Sequence, residues 1–223
     1  MTILTTEQLA RRKTLLILDN NTDLPMSTAQ HAELALLDKL YAIYERREQE
    51  GTKHAELMRV GKCAADSLRE MVAALECDYD RLEELRESRD EHDEDQSAYT
   101  QLGAWNAVYP SLAKDLAELE LAAGECTSRD DAEQRIQEDA LSIECRGDWY
   151  VPLGDGDTGV PVEFRILLST GGPATRIMGE LRDGEPHRAW LEVQDWGTPW
   201  TQYREEGLDD VLLSYSRCFY FGQ

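Results

Sequence analysis

The chain has 223 residues, with 23 Lys and Arg against 45 Asp and Glu, which gives a formal net charge of −22. This charge disfavours direct binding to nucleic acid or to anionic lipid, because both need a basic protein surface. Hydrophobic residues make up 41% of the chain and five residues are Trp, which is too much apolar material for a wholly disordered protein.

The N-terminal part of the chain predicts two helices joined by a tight link. After a mixed segment over residues 1–27, Ser27 is a suitable N-cap for a first helix, and Gly51 suits its C-cap. A second, longer helix is expected from about Thr52 into the low nineties. The two helices would then fold as an antiparallel hairpin.

The second helix carries an apolar seam that is typical of a coiled coil. Its positions alternate between steps of three and four residues: Leu57, Val60, Ala64, Leu68, Met71, Leu75, Tyr79, Leu82 and Leu85. This spacing is sustained for about four heptads and predicts coiled-coil packing. Because the second helix is about twice as long as the first, its far half is expected to pack on a third helix or on another copy of the protein.

Shorter elements are expected after the second helix. Helical segments are predicted over 98–109, from Pro110 to Gly124, and from the N-cap Ser128 to Asp139. From about Leu141 the pattern changes to alternating apolar and polar residues, separated by glycine-rich turns, which predicts strands. The expected strands are Leu141–Tyr150, Val162–Ser169, Thr175–Leu181 and Ala189–Asp195, followed by a helix over Leu208–Tyr215.

Together these patterns predict an α+β protein. We expect an acidic helical region, with a helical hairpin and coiled-coil-like packing, over residues 1–140. A small α+β domain over residues 141–223 would hold an antiparallel meander and the C-terminal helix.

The sequence contains no recognisable catalytic constellation. Ser111 and Lys114 match a Ser-x-x-Lys pattern without its companion motifs, and the glycine-rich run Ser169–Pro173 joins two predicted strands instead of opening a helix. The run Asp155–Thr158 lacks the later ligands of a calcium loop. The five Cys lack zinc-site spacing and fit reduced thiols, most of them small core residues. We therefore expect no catalytic, cofactor-binding or metal-binding residue and no enzyme; an unrecognised carboxylate site is the remaining enzymatic alternative.

An acidic stripe is the most distinctive feature of the sequence. Residues 76–95 hold 11 acidic residues and three Arg. Six of these acids follow one another at steps of four and three residues, which places them along one side of a helix. They are Glu76, Asp80, Glu83, Glu87, Asp90 and Glu94, and Glu91 lies beside them. Later acids, Asp115, Glu118, Glu120 and Glu125, are expected to extend this charge from a neighbouring helix. A solvated face that only keeps the protein soluble is the simpler interpretation.

Three strings near the C-terminus carry a resemblance: Gly147–Trp149, Ile166–Ala174 and Gln194–Trp200. Over about residues 140–223 the chain resembles a module of uncharacterised accessory proteins carried by phages and conjugative elements of proteobacteria. The resemblance assigns no functional residue, but it implies a mobile-element setting, where genes against host defence are common. Within the third string, Trp196 and Trp200 are four residues apart and form either a partner-binding aromatic patch or a packed loop.

These observations lead to two hypotheses about function. The first is an acidic DNA mimic that occupies the basic nucleic-acid channel of a bacterial defence complex, a CRISPR effector or a restriction enzyme, through the acidic stripe, Trp196 and Trp200. The second is a non-catalytic coiled-coil adaptor that forms a homodimer through its helical region.

The chain has no long apolar run and no secretory leader pattern, so we expect no membrane contact and a cytoplasmic location in the bacterial host cell.

Overall fold

The computed structural model describes residues 4–20, 25–98, 104–147 and 160–222. The chain divides into two compact units, Met1–Glu56 and Leu57–Gln223. Helix α2 (Thr28–Leu75) contributes residues to both units, and each unit is described by itself.

The N-terminal unit is built from helix α1 (Thr6–Asp19) and the first part of α2. Thr5 and Gln8 form a capping box at the start of α1, in which each side chain bonds the other residue's backbone N–H. At the start of α2, the Ser27 hydroxyl accepts a hydrogen bond from the Gln30 N–H at 3.3 Å, as its expected role as an N-cap requires. A small core lies between the helices, formed by Leu4, Leu15, Leu34 and Leu37.

The expected helix break at Gly51 is wrong. Helix α2 continues through this residue to Leu75, so the predicted hairpin at Gly51 does not form. Residues 45–56 are all exposed, which means that no neighbouring element forces a turn there. An isolated glycine costs a helix only about 1 kcal/mol relative to alanine, and the flanking helix formers outweigh that cost.

The actual break lies at residues 76–78, between α2 and α3 (Tyr79–Ala98). The Asp78 carboxylate accepts the Arg81 backbone N–H at 3.0 Å and so caps α3. This break divides the predicted apolar seam between two cores of the same chain. Leu68, Met71 and Leu75 pack with the sheet residues, whereas Leu82 and Leu85 pack against a separate group of helices.

Those helices follow α3 in the chain. They are α4 (Trp105–Val108) and α5 (Pro110–Ala123), which lie against α3 and each other, and then α6 (Arg129–Asp139). Ser128 caps α6 by accepting the Asp131 N–H, and α5 ends at Gly124, both as predicted. Of the segment predicted to be helical over residues 98–109, Ala98 ends α3 and Trp105–Val108 form α4, while residues 99–103 lie outside the description.

A five-stranded antiparallel meander follows, in the order β1-β2-β3-β4-β5. Its strands are β1 (Ser142–Gly147), β2 (Pro161–Ser169), β3 (Ala174–Arg182), β4 (Glu185–Gln194) and β5 (Thr201–Tyr203). One register row crosses the whole sheet, through Ile143, Ile166, Ile177, Leu191 and Tyr203. The predicted strands and the C-terminal helix, α7 (Leu208–Ser216), are present in the described residues, and β5 is an addition to the prediction. Residues 148–150, at the end of the first predicted strand, lie outside the description.

The core of the C-terminal unit combines residues from helices and sheet. Leu68 of α2, Ile136 of α6 and Tyr215 of α7 belong to one buried cluster with Phe164 and Ile177 of the sheet. The Tyr215 hydroxyl also donates to the Asp139 carboxylate at 2.8 Å, which ties α7 to α6. The change of pattern near Leu141 marks the change from helix to strand, which falls within the second compact unit; the predicted domain boundary at residues 140 and 141 stays a prediction.

The α+β fold class is confirmed, with an N-terminal helical region, an antiparallel sheet and a C-terminal helix.

Every Cys is a free thiol. Cys126 is buried as expected for a small core residue, but Cys63 and Cys145 are exposed, so that expectation is wrong for these two. Of the helices described, none is long and apolar enough to cross a membrane.

Candidate functional site

Helix α3 has one buried side and one exposed side. Leu82 and Leu85 are each 2% exposed and pack with Trp105 of α4 and Leu116 of α5. This packing fixes the rotation of α3 about its own axis, because residues three and four apart share a face. The positions between the apolar ones are therefore directed to solvent.

The predicted acids lie on that exposed side, and we call them the acidic face. They are Asp80, Glu83, Glu87, Asp90, Glu91 and Glu94, all exposed and all within α3. Among the described residues, Asp80, Glu83, Glu87 and Glu91 have no ion-pair partner. The acidic face thus consists of carboxylates that keep most of their charge available to a partner.

Glu76 does not belong to this face. It lies in the turn after α2, before α3 begins, and accepts a hydrogen bond from the Ser214 hydroxyl at 3.0 Å. The expected stripe therefore begins at Asp80. The sequence spacing missed this because a helix break without Gly or Pro leaves the three- and four-residue steps unchanged.

The cations of α3 are directed mostly away from the acidic face. Arg86 and Arg89 both reach across to Glu120 of α5, at 3.3 and 3.5 Å. Arg89 also pairs with Asp90 of the acidic face, at 3.2 Å. Arg81 pairs with Glu84 at 2.9 Å. Two of the three arginines therefore hold α3 against α5, and they leave the exposed acids with little local compensation.

This geometry corrects the expected extension of the charge from α5. Glu120 is half-buried and occupied by the two arginines, so it serves the contact between α3 and α5. Glu118 pairs with Lys114 at 3.3 Å. Asp115 and Glu125 are exposed, as an extension of the acidic charge requires.

The two tryptophans of the third string lie in the C-terminal unit, near the end of the sheet. Trp196 is 78% exposed, and Trp200 is half-buried. Both line a cleft of about 530 Å³ between the turn 170–173 and the loop 195–200.

The glycine-rich run Ser169–Pro173 is a hairpin turn between β2 and β3, as predicted. The run Asp155–Thr158 lies outside the described residues.

The outer face of the sheet carries an ionic cluster that was not predicted from the sequence, which we define by Glu144, Arg165, Arg176 and Glu192. Arg176 bonds Glu192 at 2.7 Å and lies over the Trp200 ring, 4.0 Å from its centre. Arg165 pairs with Glu144 across β1 and β2. The alternating polar residues along the strands indicate that the sheet has a polar outer face. Which of these side chains pair with one another depends on the strand register, which cannot be read from the sequence.

The chain matches no known family model, no curated protein and no solved structure. The resemblance of residues 140–223 to accessory proteins of mobile elements therefore stays a prediction. Within the described ranges, no three His, Cys, Asp or Glu side chains are grouped as a metal site requires.

Proposed function

We propose that the protein is an acidic DNA mimic that inhibits a nucleic-acid-binding bacterial defence complex, such as a CRISPR effector or a restriction enzyme. One observation carries the proposal: α3 presents a row of exposed acids, and four of them, Asp80, Glu83, Glu87 and Glu91, have no ion-pair partner among the described residues. Asp90 of the acidic face pairs with Arg89 of α3, and Arg86 and Arg89 both contact Glu120 of α5. A channel lined with Lys and Arg to hold DNA is attracted to such a surface.

The spacing of the charge supports mimicry of DNA. Helix α3 has 20 residues and therefore a length of about 30 Å. Its sequence holds nine acidic residues, so one carboxylate occurs per roughly 3.3 Å of helix axis. Each strand of duplex DNA carries one phosphate per about 3.4 Å, which is nearly the same linear density.

Charge alone provides attraction with little selectivity, so a second surface is needed for specificity. Trp196 and Trp200 are suited to this role, because aromatic side chains dominate the binding energy of many protein interfaces. The proposal thus assigns recruitment to α3 and selective contacts to the cleft of the C-terminal unit. It needs no cofactor and no chemical step, and a cytoplasmic location in the bacterial host belongs to the same proposal.

The proposal is tested by displacement of DNA from purified CRISPR effector and restriction complexes. The stripe variant replaces Glu83, Glu87 and Glu91 by Gln, since all three are exposed and lack ion pairs within the described residues. The control variant replaces Glu50, Glu185 and Glu206 by Gln; these are exposed acids outside α3, and both variants have a net charge of −19.

Wild type and the control variant should displace DNA from at least one complex, and the stripe variant should need about tenfold or more protein for the same effect. This follows from the loss of three carboxylates, each contributing about 0.5 kcal/mol or more to a close charge contact. Equal activity of both variants, or no displacement from any complex, contradicts the proposal.

The second candidate function is a dimeric adaptor. The surface that would form the dimer differs from the apolar seam that the sequence suggested. Leu57 is buried, and the seam from Ala64 to Leu85 packs into the cores of the C-terminal unit, so it leaves little apolar surface for a partner copy. Leu36 and Ile43, however, are 60% and 46% exposed and lie seven residues apart on α2. Sedimentation of wild type beside Leu36→Lys tests this candidate: a dimer that the substitution dissociates supports it, and a monomeric wild type excludes it.

A further inference from the structure

The cleft beside the outer face of the sheet has the size and lining of a binding site. Its volume of about 530 Å³ falls in the usual range for small ligands and side chains. The lining combines the indoles of Trp196 and Trp200 with Asp195 and the backbone of Gly172. It also holds Arg165 and Arg176, whose charges are paired with Glu144 and Glu192. The chemistry of this lining identifies one class of occupant.

Two lining residues, Arg176 and Trp200, show one interaction that the cleft supports. The Arg176 guanidinium lies over the Trp200 indole, with its carbon 4.0 Å from the ring centre. It also donates from Nε and Nη2 to Glu192 Oε2, at 2.8 and 2.7 Å. The fold therefore places a guanidinium between an indole and a carboxylate, a combination of cation–π attraction and charge-assisted hydrogen bonds.

Trp196 and Asp195, which also line the cleft, supply a second indole and a second carboxylate with no cation of the described residues bound to them. Trp196 is 78% exposed, and no Arg or Lys of the described residues lies over its ring. The carboxylate of the adjacent Asp195 makes no hydrogen bond or ion pair within the described residues, while its backbone bonds Thr198.

One edge of the Trp196 ring lies against the backbone of Gly172. Its indole edge lies so close to Gly172 that a Cβ atom on that glycine would come within 3.0 Å of Cε2. One side of the ring is therefore supported by backbone and the rest remains open to solvent. A preorganised aromatic surface loses little conformational entropy when it binds a partner.

We propose that this cleft binds an arginine side chain of a partner protein, with the guanidinium on the Trp196 indole and its charge paired with Asp195. Arginine fits better than lysine because its planar group stacks on an indole and donates two parallel hydrogen bonds to a carboxylate. The net charge of −22 attracts basic partners to the molecule. That the arginine comes from a DNA-binding channel rests on the proposed function, because such channels are lined with arginine side chains. Recognition of the arginine side chain itself depends on the cleft alone.

The test uses three short peptides, acetyl-Gly-Arg-Gly-amide and its lysine and citrulline counterparts, with the full-length protein. Nuclear magnetic resonance follows the indole N–H of Trp196, assigned by its loss in Trp196→Phe. The arginine peptide should shift this signal with saturation and bind about threefold or more tighter than the lysine peptide, whereas neutral citrulline should bind least.

The variants separate the cleft from general charge attraction. Trp196→Ala should weaken binding of the arginine peptide about tenfold, and Asp195→Asn should weaken it several-fold. Trp196→Phe, which keeps an aromatic ring, should retain part of the affinity. The control Asp209→Asn removes one exposed acid of α7 and should leave binding unchanged.

Equal binding of the arginine and lysine peptides without movement of the Trp196 signal would overturn the inference, as would full affinity in Trp196→Ala. The two proposals fail separately. Peptide binding without displacement of DNA contradicts the DNA-mimic function alone. A wild-type protein that displaces DNA but binds no arginine peptide contradicts the arginine site alone.

Discussion

Two glycines of α2 illustrate how the same residue type has opposite roles. Gly51 is exposed, and a Cβ atom added there would meet nothing within 4 Å. Gly61 is buried, and a Cβ atom there would lie 2.6 Å from Cγ of Tyr203. The first glycine is a weak point of the helix, while the second permits close approach between α2 and β5.

These positions predict opposite effects of alanine. Gly51→Ala should stabilise the helix by about 0.5–1 kcal/mol, because alanine loses less backbone entropy on folding. Gly61→Ala should destabilise the C-terminal unit by about 1–3 kcal/mol, because Tyr203 must move. Thermal unfolding followed by circular dichroism measures both; a loss of stability in Gly51→Ala would mean that the helix needs its glycine.

Tyr79 couples stability to alkaline pH. Its hydroxyl donates to the Ala74 carbonyl at 2.9 Å, and burial raises its pKa to about 12. An unfolded tyrosine titrates near pH 10. Because the folded-state pKa is the higher one, the contribution of Tyr79 to stability is fully present below about pH 10 and is lost as the pH rises towards 12.

Tyr79→Phe should therefore lower stability at pH 8 by about 1 kcal/mol, through the lost hydrogen bond, and lose less stability than wild type between pH 10 and 11.5. Part of the wild-type loss should remain, since burial also raises the pKa of Tyr203 to about 12 and that of Tyr215 further. Urea unfolding at each pH measures the difference. Parallel pH profiles for the two proteins would assign the alkaline loss to other groups.

At the scale of elements, the strands were more predictable than the helix boundaries. Alternation and glycine-rich turns place β2, β3 and β4 within a few residues of their observed ends. Helix α1 was missed because its signal is a capping box, Thr5 with Gln8, and not a strong apolar repeat. The break before α3 was missed because Asp78 caps it without Gly or Pro.

The acidic face was predictable for a different reason. Charge spacing along a helix depends only on sequence, and the apolar residues Leu82 and Leu85 indicate which side is buried. The pairing of Arg86 and Arg89 with Glu120 was not predictable, because it depends on how α5 packs against α3. The same limit applies to Arg176 and Trp200, which meet only through the sheet and its loop.

The acidic face should cost the fold some stability. Glu83, Glu87 and Glu91 are four residues apart, and like charges at this spacing destabilise a helix by about 0.2–0.5 kcal/mol per pair. The stripe variant should therefore unfold at the same or a slightly higher urea concentration than wild type, even though it loses displacement of DNA. A marked loss of stability in this variant would show that the acids serve the fold and would make its functional defect uninformative.

At the scale of the whole molecule, the negative charge is unevenly divided. Residues 1–56 hold seven basic and nine acidic residues, a net charge of −2, whereas residues 57–223 hold 16 and 36, a net charge of −20. Nearly all of the charge thus belongs to the unit that also carries α3 and the cleft. This distribution is more specific than a general need for solubility, which a spread-out charge would also meet.

The central claim is that the acidic face recruits a DNA-binding channel, and the salt dependence of association tests it most directly. The measurement is the association rate with a complex from which the protein displaces DNA, between about 0.1 M and 1 M salt, where the Debye length falls from about 10 Å to about 3 Å. The account predicts a steep fall for wild type and the control variant, a flatter one for the stripe variant, and a smaller change in dissociation. An association rate that hardly changes with salt, or equal slopes for both variants, would mean that the acidic face is only solvated surface and would contradict the account.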